Sequence, residues 1–421
     1  MLSRVTPAAA ARFILEHVPL LAPLRRSLKE SLDRVLAEDV ASQIDLPAWD
    51  NSSMDGYAVR AADVHGAAPE RPVVLRVQET VQAGRFPTRR ITAGKATRVF
   101  TGSPLPEGAD GVIRQEDTET LDDGRVAVKN DRDAGHNIRR RGEDVRRGAS
   151  VLSRGTPLGP AQVGVLASIA HANPLVYPAP RVAFFGSGEE IVDLDPTGTA
   201  QVLAGRKIAS ANSYTLDGMI RRAGAMPWDL GLAGDDRGAI AAKLAQAADA
   251  DLIVTTGGVS VGEHDHMRAA LADLGGTLEL WRVRMRPGAP LGFGLVRGKP
   301  WIGLPGNPVS TMVTFELFAR PAIRHMQGFT QPFRETVRVR VGETITLGPR
   351  LQHFLRVVMQ PETDGALVAR LTGAQGSGIL TSMAQANALL IVPEDCATVP
   401  ASTELPAIPL DGVRHTSLPP F

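Results

Sequence analysis

The segment from Asp251 to Asp265, DLIVTTGGVSVGEHD, constrains the fold of this chain more than any other. Leu252, Ile253 and Val254 form a short apolar run, as expected for a parallel strand that is covered on both faces. Glycine and hydroxyl residues follow this run, and the segment then continues toward a helix. The pattern therefore predicts a strand, a turn and a helix of an α/β sheet, with the turn at the edge where such sheets bind ligands.

The residues of this turn indicate a type of ligand. Gly257, Gly258 and Gly262 allow backbone N–H groups to approach an anion closely, and the following helix N-terminus favours negative charge. Glu263 and Asp265 would repel that anion unless a cation or a proton lies between them. The combination indicates Mg²⁺-dependent phosphate chemistry. An ordinary strand-to-helix turn remains an alternative, because a glycine-rich loop alone is a weak signal.

Length and composition exclude several classes of protein. The chain has 421 residues, which predicts roughly three domains. Its 46 basic and 45 acidic residues give a net charge of +1, so we expect neither nucleic acid nor a membrane surface as a partner. Cys396 is the single cysteine, which excludes an intrachain disulfide and a multi-cysteine zinc site. No apolar run is long enough to span a bilayer, and we expect a cytoplasmic protein.

The predicted elements fall into distinct regions along the chain. Helices are predicted over 6–18 and 28–40, and short β-rich runs over 59–128. From Arg181 onward, strands alternate with helices of about a dozen residues, which indicates a parallel, doubly wound sheet. From about Gly328 the pattern returns to strands. Further helices are predicted over 158–171, 212–224, 237–248, 267–274 and 309–326.

Six segments together point to one family. The chain resembles the MoeA-type molybdopterin molybdenumtransferases, the molybdenum insertases whose eukaryotic relatives include the E domain of gephyrin. The segments occur in the family's order, and six such matches in order are far more specific than any one of them. The matching segments are Leu46–Val59, Phe100–Asp110, Asn137–Asp144, Thr255–Asp265, Arg286–Pro290 and Leu304–Ser310.

The resemblance implies a multidomain α/β fold with four parts. These are a MogA-like doubly wound parallel-sheet domain that binds molybdopterin, a β-rich inserted domain, a small α/β linker domain and a C-terminal β-barrel-like domain. In that order, the expected bounds are 1–23 with 179–327, 49–138, 24–48 with 139–178, and 328–421.

The resemblance also implies an activity. The family takes adenylylated molybdopterin and molybdate as substrates, inserts molybdenum, releases AMP and uses Mg²⁺ or a similar divalent cation. It implies a homodimer whose active-site cleft includes the partner subunit. A MogA-type adenylyltransferase and recipient molybdoenzymes are the other partners that it suggests.

Six residues match positions that carry catalysis in the family. Asp55, Glu190 and Asp265 are expected to hold the metal. Some of the six have a simpler alternative role: Asp55 precedes a glycine in a typical turn pair, and Asp235 could cap a helix. Asp144 could instead neutralise the arginines around it. The full catalytic set is Asp55, Thr101, Asp144, Glu190, Asp235 and Asp265.

The remaining matches are expected to bind substrate. Basic and hydroxyl groups near Arg286, Ser310 and Arg356 would hold molybdate, and Arg356 with the 375–378 turn would reach the cleft from the partner subunit. Pro305 could also be a simple helix-start proline. The expected substrate-binding set is Gly257, Gly258, Ser260, Arg286, Pro305, Gly306, Asn307, Pro308, Ser310, Arg356 and Ser377.

Departures from the family pattern keep other functions open. The family's Lys-Pro-Gly-Lys-Pro is Arg286-Pro-Gly-Ala289-Pro here, which loses one cation, and arginine does not replace lysine freely at an anion site. Gly186 and Ser210 also differ from the family. A non-catalytic molybdopterin-binding or scaffold protein is therefore one alternative. A molybdopterin adenylyltransferase is another, because the doubly wound domain is shared.

Overall fold

A computed structural model describes residues 1–258, 264–348 and 350–410, and it does not describe the side chains of residues 264 and 265. The chain divides into two compact units. The first unit comprises Met1–Leu24, Asp33–Ala37 and the chain from Val176 onward. The second comprises Arg25–Leu32 and Glu38–Leu175. The finer division into four domains stays a prediction.

The first unit is built around a seven-stranded sheet, which confirms the predicted α/β fold. Gly292–Val296 pairs antiparallel with both of its neighbours, and the other adjacent strands pair parallel. The central strand Leu252–Thr256 is buried along its whole length, as the apolar run predicts. In sheet order the strands are Leu2–Val5, Thr277–Val283, Gly292–Val296, Lys299–Leu304, Leu252–Thr256, Arg181–Ser187 and Met226–Ala233.

Helices cover this sheet, and their starts follow the sequence signals. Thr6 caps the first helix by accepting a hydrogen bond from the N–H of Ala9, and Pro7 is its first residue. The predicted helix over 309–326 is continuous but contains a π-helical stretch at Phe315–Ala319. The other helices are Pro7–His17, Pro196–Leu203, Ala211–Arg222, Arg237–Gln246, His264–Asp273, Pro308–Thr314 and Arg320–Met326, with a 3₁₀ turn at Ala247–Asp249.

The last part of the first unit is a closed sheet. Gln352–Pro361 pairs with both Leu367–Leu371 and Ala388–Val392, so the ring of strands closes on itself. The short strand Met285–Arg286 adds to Gln352–Pro361 and so joins this sheet to the α/β part. The remaining elements are strands Val337–Val341 and Glu404–Pro409, helix Leu380–Gln385, and the strand pairs Ile345–Thr346 with Thr398–Val399 and Ile191–Val192 with Ile208–Ala209.

The second unit contains a six-stranded sheet, as the β-rich runs predict. In sheet order its strands are Gly111–Arg114, Gly56–Val59, Lys95–Val99, Val73–Val81, Arg125–Val128 and Thr118–Leu121. Around it lie helices Ala61–Val64 and Pro160–Ser168, a 3₁₀ turn at Gln115–Asp117, and the strand pairs Val40–Ala41 with Ser150–Leu152 and Asn51–Ser52 with Ile138–Arg139. Short strands Leu24–Arg25 and Leu175–Val176 form a further two-stranded pair.

The predicted helix over 28–40 is wrong. Ser27 and Glu30 form a capping box that starts a helix, but the helix covers only Leu28–Ser31. Asp33 then adopts a φ of 62°, a left-handed conformation that a continuing helix cannot contain. Leu36 bridges to Val176 instead. In the part of the chain that the structure describes, no helix combines the length and apolarity needed to cross a membrane.

Candidate active site

A cavity of about 610 Å³ lies in the first unit at the carboxyl ends of the sheet strands. This is the edge at which α/β sheets bind ligands. Most of the predicted substrate-binding residues meet there, although they come from four separate stretches of chain, and the predicted metal ligand Glu190 joins them from a fifth. The predicted residues that line the cavity are Glu190, Gly257, Arg286, Pro305, Gly306, Asn307, Pro308, Ser310 and Ser377.

Gly257 brings backbone to the floor of this cavity. Its φ is +80°, and a Cβ atom there would lie only 2.5 Å from the carbonyl oxygen of Ser187. Gly258 also has a positive φ, of +67°. A residue with a side chain would force the 255–258 turn away from Ser187, so the glycine predicted from the sequence is required by close approach of two backbones.

Arg286 is carried by a loop that packs tightly against a helix. Gly288 has a φ of +96°, and a Cβ atom there would lie 2.4 Å from the Cγ2 methyl group of Thr314. The carbonyl of Ala289 accepts a hydrogen bond of 2.9 Å from the N–H of Val283, which ties the end of the loop to the sheet. The loop therefore holds an exposed guanidinium group at the cavity from a fixed backbone.

The loop from Pro305 to Pro308 is fixed by hydrogen bonds from three directions. The hydroxyl of Thr311 donates to the carbonyl of Pro305 at 2.6 Å. The side-chain amide of Asn307 donates to the Ser377 hydroxyl at 3.0 Å, and the N–H of Val309 donates to the Ser377 carbonyl at 3.2 Å. Gln375 and Ser377, which were expected to approach from the partner subunit, thus line the cavity of their own chain.

Two lining residues that the sequence reading did not select have unpaired polar atoms. Ser187 is 8% exposed, and its hydroxyl has no hydrogen-bond partner among the described residues. Asn212 donates from its amide nitrogen to the carbonyl of Gly306 at 2.7 Å, which orients the amide and leaves its buried oxygen without a donor. Because native proteins rarely leave buried polar atoms unpaired, both atoms indicate a polar ligand. In the sequence, both residues lie in segments that depart from the family pattern, Gly186–Glu190 and Ser210–Asn212, but neither residue was expected to bind substrate.

Three acidic residues surround the turn that follows the strand Arg181–Ser187. Glu190 lines the cavity, and the carboxylate of Asp235 accepts a hydrogen bond of 2.9 Å from the N–H of Glu189. The helix that starts nearby is capped by Asp236, which accepts from the N–H of Ala239 at 2.9 Å. Capping is therefore the role of Asp236, and Asp235 instead fixes the turn that carries Glu190.

Arg356 lies behind the cavity lining. It is fully buried, and its guanidinium group donates to the Ser382 hydroxyl at 2.8 Å and to three carbonyl groups of the 374–376 loop. Burial lowers the pKa of Arg356. This arrangement supports the loop that carries Gln375 and Ser377, and Arg356 itself does not line the cavity.

For two expected site residues, the structure does not describe the side chain. Ser260 lies outside the described residues. Asp265 lies in the helix His264–Asp273, but its side chain is not described. Their expected roles stay predictions.

In the second unit, the structure brings Asp55 and Thr101 together. The Asp55 carboxylate accepts hydrogen bonds from the backbone N–H of Thr101 at 2.7 Å and from its hydroxyl at 2.8 Å. The backbone hydrogen bond and then the hydroxyl lower the pKa of Asp55. Thr101 therefore holds the Asp55 carboxylate in place and favours its ionised form, which suits binding of a cation or of a hydrogen-bond donor.

Asp144 does not neutralise the arginines around it within the described part of the unit. Arg140 instead pairs with Asp50 at 2.8 Å, and Arg141 pairs with Asp45 at 2.6 Å. The backbone N–H of Asp144 donates to the carbonyl of Leu46, and the side chain is exposed. Its carboxylate is available for another partner.

The described residues do not test the expected Mg²⁺ ligands as a set. Asp55 belongs to the second unit, Glu190 to the first, and the Asp265 side chain is not described. In the described part of the chain, no three acidic, histidine or cysteine side chains form a group that could hold a metal ion. The described donors therefore do not by themselves make a metal site.

Three family models match successive parts of the chain. The MoeA N-terminal region, domains I and II, matches residues 5–170. A probable molybdopterin binding domain matches residues 187–325, and the MoeA C-terminal region, domain IV, matches residues 338–410. The second model covers most of the residues that line the cavity.

Relatives match along almost the whole chain. A molybdopterin molybdenumtransferase 2 of Mycobacterium tuberculosis is 37% identical over 94% of this chain and 96% of its own length. A molybdopterin molybdenumtransferase of Nostoc is 35% identical over 86% of this chain and 82% of its own length. The crystal structure of a molybdopterin biosynthesis MoeA protein from Pyrococcus horikoshii is 29% identical, with a TM-score of 0.79, over 96% of this chain and 100% of its own. The chain therefore belongs to the MoeA family of molybdopterin molybdenumtransferases.

Proposed function

We propose that this chain acts in molybdenum cofactor biosynthesis as a molybdopterin molybdenumtransferase, inserting molybdenum from molybdate into molybdopterin. The observation that carries the proposal is the cavity of the first unit, where buried polar atoms of Ser187 and Asn212 have no partner among the described residues. Relatives that are 30–37% identical over most of the chain carry the same activity in their names. Together they support a transferase whose pterin substrate fills this cavity.

Different lining residues suit different groups of the substrate. The hydroxyl of Ser187 and the guanidinium of Arg286 are donors suited to phosphate or molybdate oxygens. The oxygen of Asn212 is an acceptor, which suits the N–H groups of a pterin ring. Gly257 lets the backbone approach the ligand without a side chain between them.

The finer steps follow from the family resemblance. The substrate is the adenylylated form of molybdopterin, and AMP leaves as molybdenum enters. A divalent cation such as Mg²⁺ would offset the charge of the bridging phosphates, with Asp55, Glu190 and Asp265 as its ligands. The chain works as a cytoplasmic homodimer that completes the site. These four points are part of the proposal.

AMP release from adenylyl-molybdopterin tests the proposal directly. Purified protein is incubated with this substrate and Mg²⁺, with and without molybdate, and AMP is measured by chromatography. We expect molybdate-dependent release, and we expect Asp265→Ala to abolish it. Full release by Asp265→Ala would contradict the assigned role of that residue. Formation of adenylyl-molybdopterin from ATP without molybdate would instead identify an adenylyltransferase.

One observation favours a second candidate function, a non-catalytic molybdopterin carrier or scaffold. Arg286 is the only basic side chain among the described residues that line the cavity, because position 289 is alanine. A carrier would bind adenylyl-molybdopterin tightly and release no AMP with or without molybdate. The same assay, combined with calorimetric measurement of substrate binding, separates the two functions.

A further inference from the structure

The side chain of Glu190 reaches the cavity of the first unit without a partner to hold it there. Glu190 lines the cavity, and among the described residues no group donates a hydrogen bond to its carboxylate. The carboxylate instead folds back over Gly188, where an added Cβ atom would lie only 2.9 Å from one carboxylate oxygen. The backbone of the turn from Gly188 to Glu190 therefore sets the position of this carboxylate.

Two charged side chains hold this turn through the backbone of Glu189. Asp235 accepts a hydrogen bond from the N–H of Glu189 at 2.9 Å, and the ammonium group of Lys207 donates to the Glu189 carbonyl. One charge thus acts on each of the two peptide groups that flank Glu189, and hydrogen bonds to ionised groups are stronger than those between neutral groups. Asp235 and Lys207 are both partly buried, which limits competition from water.

The backbone that carries Lys207 is itself tied to the turn. The N–H of Ile208 donates to the carbonyl of Glu190 at 3.0 Å, and Ile208 pairs with Ile191 in a short parallel strand pair. Lys207 lies immediately before this strand, so its side chain starts from a fixed point. Ile208 lines the cavity, but Lys207 does not. Lys207 therefore acts on the cavity through the turn rather than by contact with a ligand.

We propose that Lys207 is a positioning residue that, together with Asp235, fixes the Glu190 carboxylate at the cavity. This role rests on the proposed function, in which Glu190 belongs to the catalytic set. Ser187 does not depend on Lys207, because it ends the strand Arg181–Ser187 and pairs in register with Ala233. Loss of the ammonium group should therefore displace Glu190 and leave the substrate-binding groups of the cavity in place.

Lys243 shows what a purely structural bond of the same kind looks like. Its ammonium group donates to the carbonyl of Leu230, and the side chain is partly buried, as that of Lys207 is. Neither Lys243 nor Leu230 lines the cavity. Lys243→Met and Lys207→Met thus remove the same type of hydrogen bond, but only Lys207→Met frees the turn that carries Glu190.

Steady-state AMP release from adenylyl-molybdopterin tests the role of Lys207. Lys207→Met keeps the length of the side chain and should lower kcat about tenfold while KM changes less than about twofold, because only the position of a catalytic group is lost. Lys207→Arg keeps a cationic donor and should restore most of the loss. Lys243→Met should leave both constants unchanged. An unchanged kcat in Lys207→Met, or a rise in KM alone, would overturn the positioning role.

A double substitution tests whether Lys207 and Asp235 act on the same turn. Asp235→Ala should lower kcat by itself, and it should add little further loss in the Lys207→Met background, since both changes free the backbone of Glu189. Losses that multiply in full would show that the two side chains act independently and would contradict the shared role.

Hydrogen exchange of the 188–191 segment in the free protein separates failure of this role from failure of the proposed function. Measured by mass spectrometry, the segment should exchange at least about tenfold faster in Lys207→Met than in the parent protein, and at the parent rate in Lys243→Met. If the parent releases no AMP, the proposed function fails, and these exchange rates alone decide whether Lys207 holds the turn. Equal exchange in the parent and in Lys207→Met would refute the role of Lys207.

Discussion

Replacing Ser187 with alanine should change stability and ligand binding in opposite directions. The hydroxyl is buried and has no partner among the described residues, and an unpaired buried polar group costs about 1–3 kcal/mol. Alanine removes the hydroxyl and leaves a gap of one atom, which offsets part of the gain. Without ligand, we therefore expect the free energy of unfolding of Ser187→Ala to be about 1 kcal/mol higher than that of the parent protein.

The same substitution should weaken binding of adenylyl-molybdopterin. A hydrogen bond to a charged group contributes about 1.5–3 kcal/mol, and a loss near 2 kcal/mol corresponds to roughly a thirtyfold increase in Kd. Urea unfolding of a Trp49→Phe background, followed by tryptophan fluorescence, measures the stability of the first unit, since the other three tryptophans, Trp228, Trp281 and Trp301, all lie in it. Calorimetry measures the binding.

A buried serine with a partner gives the matched control. The hydroxyl of Ser382 accepts from Arg356 at 2.8 Å, so Ser382→Ala leaves a buried donor unpaired and should lower the free energy of unfolding by about 1–3 kcal/mol. If Ser187→Ala is as destabilising as Ser382→Ala, the Ser187 hydroxyl has a partner within the protein. Unchanged affinity for the substrate in Ser187→Ala would equally contradict its role in binding.

Three further substitutions test the geometry of the two units. Gly288→Ala should lower the free energy of unfolding by about 2–4 kcal/mol in urea titrations, because it adds a steric clash to a positive φ. The control Gly275→Ala has a φ of +70° with open space around it and should lower that free energy by only about 1 kcal/mol. Thr101→Val should raise the pKa of Asp55 toward its ordinary value, which an NMR pH titration measures. Because folding lowers this pKa, the Asp55–Thr101 contact stabilises the fold fully above the pKa of Asp55 in the unfolded chain. That stabilisation is lost as the pH falls through the pKa in the folded state. Arg356→Met should cost on the order of 3 kcal/mol and raise KM for molybdate more than it lowers kcat, and Arg356→Lys should not restore KM, since lysine lacks the fork of donors that holds the loop.

The sequence predicts the architecture well where local signals and burial agree. The apolar run Leu252–Val254 is a central buried strand, and Thr6 with Pro7 starts a helix as their cap and first-turn signals indicate. The helix predicted over 28–40 fails because periodicity does not reveal that Asp33 adopts a left-handed conformation. The helix already ends at Leu32, whose ψ is 138°, and Leu36 then bridges to Val176.

The candidate site is predictable only in part, for a related reason. Motif residues such as Gly257 and Pro305 have conformational signatures that a sequence displays. Ser187 and Asn212 stand out because a buried polar atom of each has no hydrogen-bond partner in the described part of the chain, and only three-dimensional packing reveals this. Arg356 shows the converse, because its charge suggests contact with an anion, whereas its donors are used by the protein's own carbonyl groups.

The loss of a lysine at position 289 changes the charge of the cavity without changing the loop. Ala289 is held through its backbone carbonyl, which every residue type supplies, and the tight packing of the loop depends on Gly288. The fold therefore places no requirement on the side chain at position 289. Arg286 is left as the only cation of the described lining, so neutral donors such as the Ser187 hydroxyl must contribute more to holding an oxyanion here than in a relative with two lysines. Ala289→Lys should consequently tighten molybdate binding. It should also reduce the loss of affinity caused by Ser187→Ala, because the added ammonium group and the Ser187 hydroxyl would bind the same anion.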